Sequence, residues 1–497
     1  MPATGLTDTE VGWNASRFRY SAKPAARGWP TFAHRVVAMG VLMALYLLIC
    51  PRAAQAASLL PFTQGQASSS RQGQMPALGY VEEEWRLRGR ASSYAADGKW
   101  QDDGLWSVKA DKAPHDYETR VLIRRPRDPS RFNGTVLVEW MNTGLGFDLD
   151  GAWMLTRDEI VREGYIWVGV SAEAASVSKL KGMNPVRYAT SQVQADNGQA
   201  YDIYTQAATL LRPMAAQWAA QAKGSPGPHL LALGYSQSGS YLITYINAFQ
   251  PITHAFDGFY LASTAAVGMP LTTSGARYFN PQYRAEPSAP VMQVSTEMEV
   301  MVGWQLSKTP DTQALRHWEI PGAVHLDKYL QQEVINADLS GQHMSLPDCI
   351  KPTNTLPTRV FNKAALHALH DWVTQGKAPP VAPRMQRNSW GFIRYDEVGN
   401  AMGGLRMPDL DLPVAEYGMY SNVPRRGWSA TTFYACMAGG SRNPLDADKL
   451  RARYPSGEQA YFEAYKRAAD QLLAKGFLLA PDHAVLLEQA KAIKLPH

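Results

Sequence analysis

Two runs in this chain are apolar at almost every position: "GTVLVEWM" (Gly134–Met141) and "GYIWVGVSA" (Gly164–Ala172). A strand with one wet face alternates apolar and polar residues. One that is continuously apolar and β-branched is covered on both faces. Between the two runs, Trp153, Ile160 and Val161 fall on a single helical stripe. Further strand-like runs follow at "LLALG", "FDGFYLAST", "PVMQVST" and "LRHWEIPG". Helical patterns lie at 203–218 and in "NKAALHALHDWVTQG" (Asn362–Gly376), where Gly376 is placed to cap the helix. Pro213 is expected to kink or divide the first of these. Strands alternating with helices specify an α/β fold, a mainly parallel central sheet flanked by helices.

The chain has 497 residues, 45% hydrophobic and 19% charged, which suits a large core and excludes a disordered or fibrous class. Residues 1–56 read as a signal peptide. The apolar run "VVAMGVLMALYLLIC" (Val36–Cys50) follows Arg35 and precedes a small-x-small cleavage site at Ala54-Gln55-Ala56. At ~1.5 Å per residue the run is short for crossing a bilayer, so no stable membrane insertion is expected after cleavage. The protein is therefore expected in the periplasm or outside the cell. Most of the formal net charge of +5 belongs to this leader, in Arg17, Arg19, Lys23, Arg27, Arg35 and Arg52 against Asp8 and Glu10. No basic field remains for nucleic acid. Residues 57–77, rich in Ser, Gln and Gly, read as a flexible tether. The sheet domain with its insertions spans 78–380. A C-terminal extension, 381–497, is irregular at first and helical again over 456–492. Cys50 lies in the leader, and two cysteines remain, Cys349 and Cys436. In an exported chain they favour one disulfide, which would tie the extension to the end of the sheet domain.

The strand "LLALG" runs directly into "YSQSGSYLITYINAF", a helix start with serines at 236, 238 and 240. A strand that stops sharply into a helix can display one side chain on a strained bend, provided the residues two before and two after are small. Gly234-Tyr235-Ser236-Gln237-Ser238 meets that rule, and so does the window centred on Ser238. The apolar strand ends at Leu233-Gly234, so the register favours Ser236. A plain serine-capped helix start is the bland alternative.

Serine needs a base, and the base needs a group that orients it. "PVMQVSTEMEVM" offers Glu297 and Glu299 just past a strand, and "WEIPGAVHLDKY" offers His325 past the next. Glu299 is preferred as the acid, Glu297 is second, and Asp327 is the outside candidate. The Gln237 N–H is a candidate oxyanion donor. A second would come from "WMNTGLG" (Trp140–Gly146), with Thr143 and Gly144 as candidates. Tyr278, Phe279 and Tyr283 lie in Ala262–Ala289, between nucleophile and acid, where a lid would be inserted. They either line a pocket or pack the lid. His367 and His370 lack a third ligand, and Gly144-Leu145-Gly146 lacks the features of a nucleotide loop. Neither a metal nor a cofactor is expected.

The pieces "EEEW", "TRVLIRRP", "VLVEWMN", "GYIWVGVSA", "GYSQSG", "VSTEMEV", "PGAVH" and "DEVGNAMGGLRMPDLDLPVAEY" occur in this order. Together they resemble the bacterial secreted α/β-hydrolase-domain proteins, serine esterases with a G-x-S-Q-S-G elbow. The resemblance runs from about Tyr80 to about Ala490. It implies an α/β-hydrolase fold, a nucleophile at Ser236 and a base at His325, acting on a small or polymeric ester. The family's acid position often reads Glu-x-Asp. Here it reads Glu297-Met298-Glu299, which leaves the choice of acid open. The resemblance supplies no substrate. A binding module without turnover, an acyltransferase or a lactonase would share the same features, and the oligomeric state is left open.

Overall fold

The computed structural model describes residues 56–496 apart from 63–66, 69, 196, 223–226, 273–274, 276, 304–308 and 338–343. All but the last residue of the expected signal peptide lies outside the described residues.

The strands of the main sheet are β1 (Ser58–Pro61), β2 (Tyr80–Ala96), β3 (Val108–Pro126), β4 (Thr135–Trp140), β5 (Ile166–Val170), β6 (His229–Tyr235), β7 (Gly258–Ala262), β8 (Val291–Thr296) and β9 (Leu315–Ile320). They form one nine-stranded sheet in the order β1-β2-β3-β5-β4-β6-β7-β8-β9. From β5 to β9 every neighbouring pair is parallel. β1, β2 and β3 add an antiparallel edge. The parallel part is the architecture the apolar runs require. All residues of β4 and β5 are buried. Along β4, Val136, Val138 and Trp140 join one apolar layer with Tyr201, Tyr204 and Leu211. Leu137 joins the opposite layer, with Trp153, Leu366 and Leu369. Burying each large side chain contributes about 1.5–3 kcal/mol, so alternate residues of one strand hold both layers to the sheet.

Two segments are held by contacts that their local sequence does not show. The helix Asn197–Ala219 continues through Pro213 rather than dividing there. Its buried face carries Tyr201, Ile203, Tyr204, Ala207, Leu211 and Ala215, and that burial outweighs the roughly 3 kcal/mol an interior proline costs. In the segment 57–77, read as a tether, some of the described residues are anchored. Ser58–Pro61 pairs with β2 from Arg88 to Trp85. Arg71 is buried, with Nε 2.8 Å from Asp150 Oδ2 and Nη1 3.2 Å from Glu333 Oε2. Composition missed this for two reasons. Strand pairing uses backbone groups that every sequence has, and one arginine between buried carboxylates anchors a segment that has few apolar residues.

The C-terminal extension includes helices Ala430–Gly439, Gly457–Ala474 and Ala480–Lys491. Tyr461, Tyr465 and Leu486 join the core layer that holds Trp153. A Cys349–Cys436 disulfide links the extension to the end of the sheet domain. Among the described residues no helix is long and apolar enough to cross a membrane.

Candidate active site

β6 ends at Tyr235 and the helix Gln237–Thr244 begins two residues later, with Ser236 alone between them at φ 57°, ψ −120°. A non-glycine residue held at positive φ stores of order 1–3 kcal/mol and persists only where its surroundings force it. Here two glycines permit the close approach. A Cβ on Gly234 would lie 2.7 Å from Gly239 Cα, and one on Gly239 would lie 1.8 Å from Thr264 Oγ1. The small residue that matters after the bend is thus Gly239. Ser238 has a different place. It is buried, its hydroxyl donates to the Tyr235 carbonyl at 2.9 Å, and it accepts from the Tyr235 N–H at 3.0 Å. That bond closes the bend from within, while Ser236 faces a cleft.

β8 ends at Thr296, and the helix Glu297–Val302 starts there with Glu299 closing a capping box. Glu299 Oε2 accepts from the Thr296 N–H at 3.0 Å and from its hydroxyl. Glu299 Oε1 lies 2.7 Å from His325 Nδ1. Burial pushes this carboxylate up, but the bond and charge of His325 and the two Thr296 bonds pull it below its ordinary value. Glu297 faces elsewhere: it accepts from the Gly322 N–H at 2.7 Å and from the Tyr395 hydroxyl at 2.8 Å. Burial pushes it up to about 7. Asp327 accepts from the Leu330 N–H and the Thr358 hydroxyl, both at 2.9 Å, at the start of the helix Lys328–Ala337. Of the three carboxylates, Glu299 is the one that meets the imidazole.

Ser236, Glu299 and His325 border one cleft of about 410 Å³, together with Gly144, Gln237, Met298, Tyr420 and Tyr434. A smaller space of about 40 Å³, lined by Asn142, Leu149 and Tyr235 among others, also borders Ser236 and His325. The hydroxyl thus stands between a roomy side and a confined one.

The loop after β4 approaches the bend. Asn142 Nδ2 donates to the Tyr235 carbonyl at 2.5 Å. The Thr143 N–H donates to Gln237 Oε1 at 2.9 Å, and the Gly144 N–H donates to Asn142 Oδ1 at 2.7 Å. Both candidate donors of this loop are therefore engaged by side chains. The Gln237 N–H opens its helix, where no helical carbonyl is available to it.

Sequence reasoning overlooked Glu173, which supports this arrangement. It accepts from Gln237 Nε2 at 3.2 Å, Thr143 Oγ1 at 3.3 Å and Trp140 Nε1 at 3.1 Å. Burial pushes it up to about 7 against those hydrogen bonds. Its position just past "GYIWVGVSA", at the same end of the parallel strands as the loop after β4, was the available signal.

The three expected lid aromatics do not border the cleft. Tyr278 packs 4.9 Å from Trp100 and 5.2 Å from Trp106. Phe279 is exposed, and Tyr283 is buried with its hydroxyl on Gln293. Neighbouring segments close over Tyr278 and Tyr283 more cheaply than an open pocket would, and Phe279 is left to solvent. The aromatic walls are Tyr420 and Tyr434, from the C-terminal extension. His367 lies 2.8 Å from Glu159 and His370 lies 3.0 Å from the Thr135 hydroxyl. Among the described residues no cluster of three metal-ligating side chains occurs.

A serine on a strained strand-to-helix bend, with a carboxylate in the helical turn after one later parallel strand and an imidazole in the turn after the next, defines the α/β-hydrolase class. The chain belongs to the alpha/beta hydrolase domain family, which it matches over residues 51–488. Solved structures similar to it include a fungal esterase from Rhizomucor miehei (14% identity, 62% of this chain and 90% of that one, TM-score 0.33). Others are an α/β serine hydrolase without a lid from Xanthomonas campestris (12%, 50% and 91%, TM-score 0.29) and an α/β serine hydrolase homologue from Coxiella burnetii (13%, 46% and 93%, TM-score 0.28). Among curated proteins none matches the chain.

Proposed function

We propose that the protein is an exported serine hydrolase that cleaves a carboxylic ester through an acyl-enzyme. The observation that carries this reading is the strained Ser236 on the same cleft as the His325–Glu299 pair. With Nδ1 held by Glu299, His325 has Nε2 to accept the Ser236 proton as the hydroxyl attacks the ester carbonyl. The same nitrogen then protonates the leaving alcohol. Water, deprotonated in turn by His325, releases the acid. Glu299 fixes the ring's tautomer and stabilises its charged form. The Gln237 N–H faces the developing oxyanion. A donor of this kind is worth about 10²–10³ in rate. Thr143 or Gly144 joins it when the Gln237 or Asn142 side chain turns aside. The disulfide supports export to the periplasm or the medium, since such bonds persist in oxidising compartments.

The test is hydrolysis of p-nitrophenyl acetate by wild type and Ser236→Ala. The variant is expected to lose about 10⁴-fold or more in kcat. Turnover retained by the variant would end the proposal. A fluorophosphonate should label Ser236 and leave Ser238 unmodified. Folded protein that takes up no label would point to a binding module.

A further inference from the structure

We propose that the ester's larger half carries a carboxylate, and that Arg277 recognises it. This rests on the esterase reading and adds the substrate class.

The larger side of the cleft is mainly apolar, with Val267, Met269, Met298, Tyr434 and Met437 among its walls. Two charged side chains border it. Glu299 is engaged by His325 and Thr296. Arg277 is the other, and among the described residues it has no ion-pair or hydrogen-bond partner. Its place is anchored by its neighbours, because Tyr278 and Phe279 pair with Gly268 and Val267 and Tyr278 packs on Trp100 and Trp106.

The buried carboxylate of Glu173 is engaged elsewhere. Glu173 accepts from Gln237, Thr143 and Trp140. Arg277 does act on Tyr241, whose phenol is raised by burial and by Glu173 but lowered by the Arg277 charge. Tyr241 in turn stacks on Trp140 at 4.6 Å. Arg277 is itself exposed on the border of the cleft, so its guanidinium is open to an incoming anion. An arginine presents a planar fork of donors that matches a carboxylate. On the border of the mainly apolar cleft that also holds Ser236, it suits an ester with a hydrocarbon spacer and an anionic end. The confined side beyond Ser236 would take the shorter half.

The experiment compares monomethyl adipate with methyl hexanoate in a pH-stat, for wild type, Arg277→Leu and Arg277→Lys at low and high salt. Wild type should favour the anionic ester in kcat/KM by about tenfold or more. Arg277→Leu should erase that ratio through KM of the anionic ester, and Arg277→Lys should keep part of it. Salt should weaken the preference in wild type alone of the first two. An unchanged ratio in Arg277→Leu would overturn the inference and leave Arg277 a solvated side chain. Ser236-dependent hydrolysis of p-nitrophenyl acetate would still stand in that case. If Ser236→Ala matched wild type on every ester, the esterase reading itself would fall.

Discussion

The floor of the cleft and its walls come from different parts of the molecule. Ser236, Glu299 and His325 each follow the C-terminal end of a parallel strand, β6, β8 or β9, by one to five residues. Tyr420, Tyr434 and Met437 belong to the extension after residue 381, and Arg277 belongs to the connection between β7 and β8. The floor is positioned by the strand ladder, by the Ser238 clasp and by the Glu299 capping box. The walls depend on long-range packing and on the disulfide one residue from Met437. Damage to the floor should therefore appear in kcat, and damage to the walls in KM.

The largest expected effect separates the two glutamates of the floor. Glu299→Gln should lower kcat by about 10³–10⁴-fold, as loss of the orienting carboxylate does. Glu297→Gln should stay within about tenfold, because its oxygens serve Gly322 and Tyr395. Equal losses on p-nitrophenyl acetate would mean the wrong carboxylate has been chosen.

Next comes a region that touches neither floor nor walls. Arg124 Nη1 lies 2.6 Å from Asp150 Oδ2, and its Nε lies 2.7 Å from Glu82 Oε2, all three side chains being buried. Arg124→Met leaves two carboxylates without this cation and should cost about 3–5 kcal/mol in urea unfolding. The kcat of the folded fraction should barely move.

The double substitution Cys349→Ser with Cys436→Ser opens a link between positions 87 residues apart. It should cost about 2–5 kcal/mol of stability. KM should rise several-fold with kcat little changed. A collapse of kcat instead would show that the extension also positions the floor.

The smallest effect is in the pH dependence of stability. Glu299 is held below its ordinary value, so its contribution is present at neutral pH and lost as pH falls. Glu297 is held above, so stability declines as pH rises from its ordinary value of 4.5 to about 7. Urea midpoints should show a flatter acid limb in Glu299→Gln and a smaller decline between pH 4.5 and 7 in Glu297→Gln. Parallel shifts in both variants would contradict the opposed surroundings of the two groups.

Much of the floor could be proposed from the chain itself. Continuous apolar runs such as "VLVEW" mark strands covered on both faces. A serine where one of them meets a helix marks a bend, and Glu and His after two later strands offer an acid and a base. The choice between Glu297 and Glu299 could not be read, since both follow the same strand. They differ by two residues on a helix of 3.6 per turn, about 200° of rotation. Where that helix starts decides which one faces His325.

The choice of rings that wall the cleft was left open for a related reason. Tyr278, Phe279 and Tyr283 lie close to the nucleophile in sequence, yet Trp100, Trp106 and Gln293 take two of them away from the cleft and solvent takes the third. Tyr420 and Tyr434 lie far along the chain and arrive through packing and a disulfide. Local sequence determined the strands, the bend and the candidate chemistry, because burial and backbone strain leave their mark within a few residues. The tertiary structure alone decided which glutamate meets the imidazole, which rings wall the cleft and where Arg277 points, because those depend on helix rotation and on contacts between residues distant in the chain.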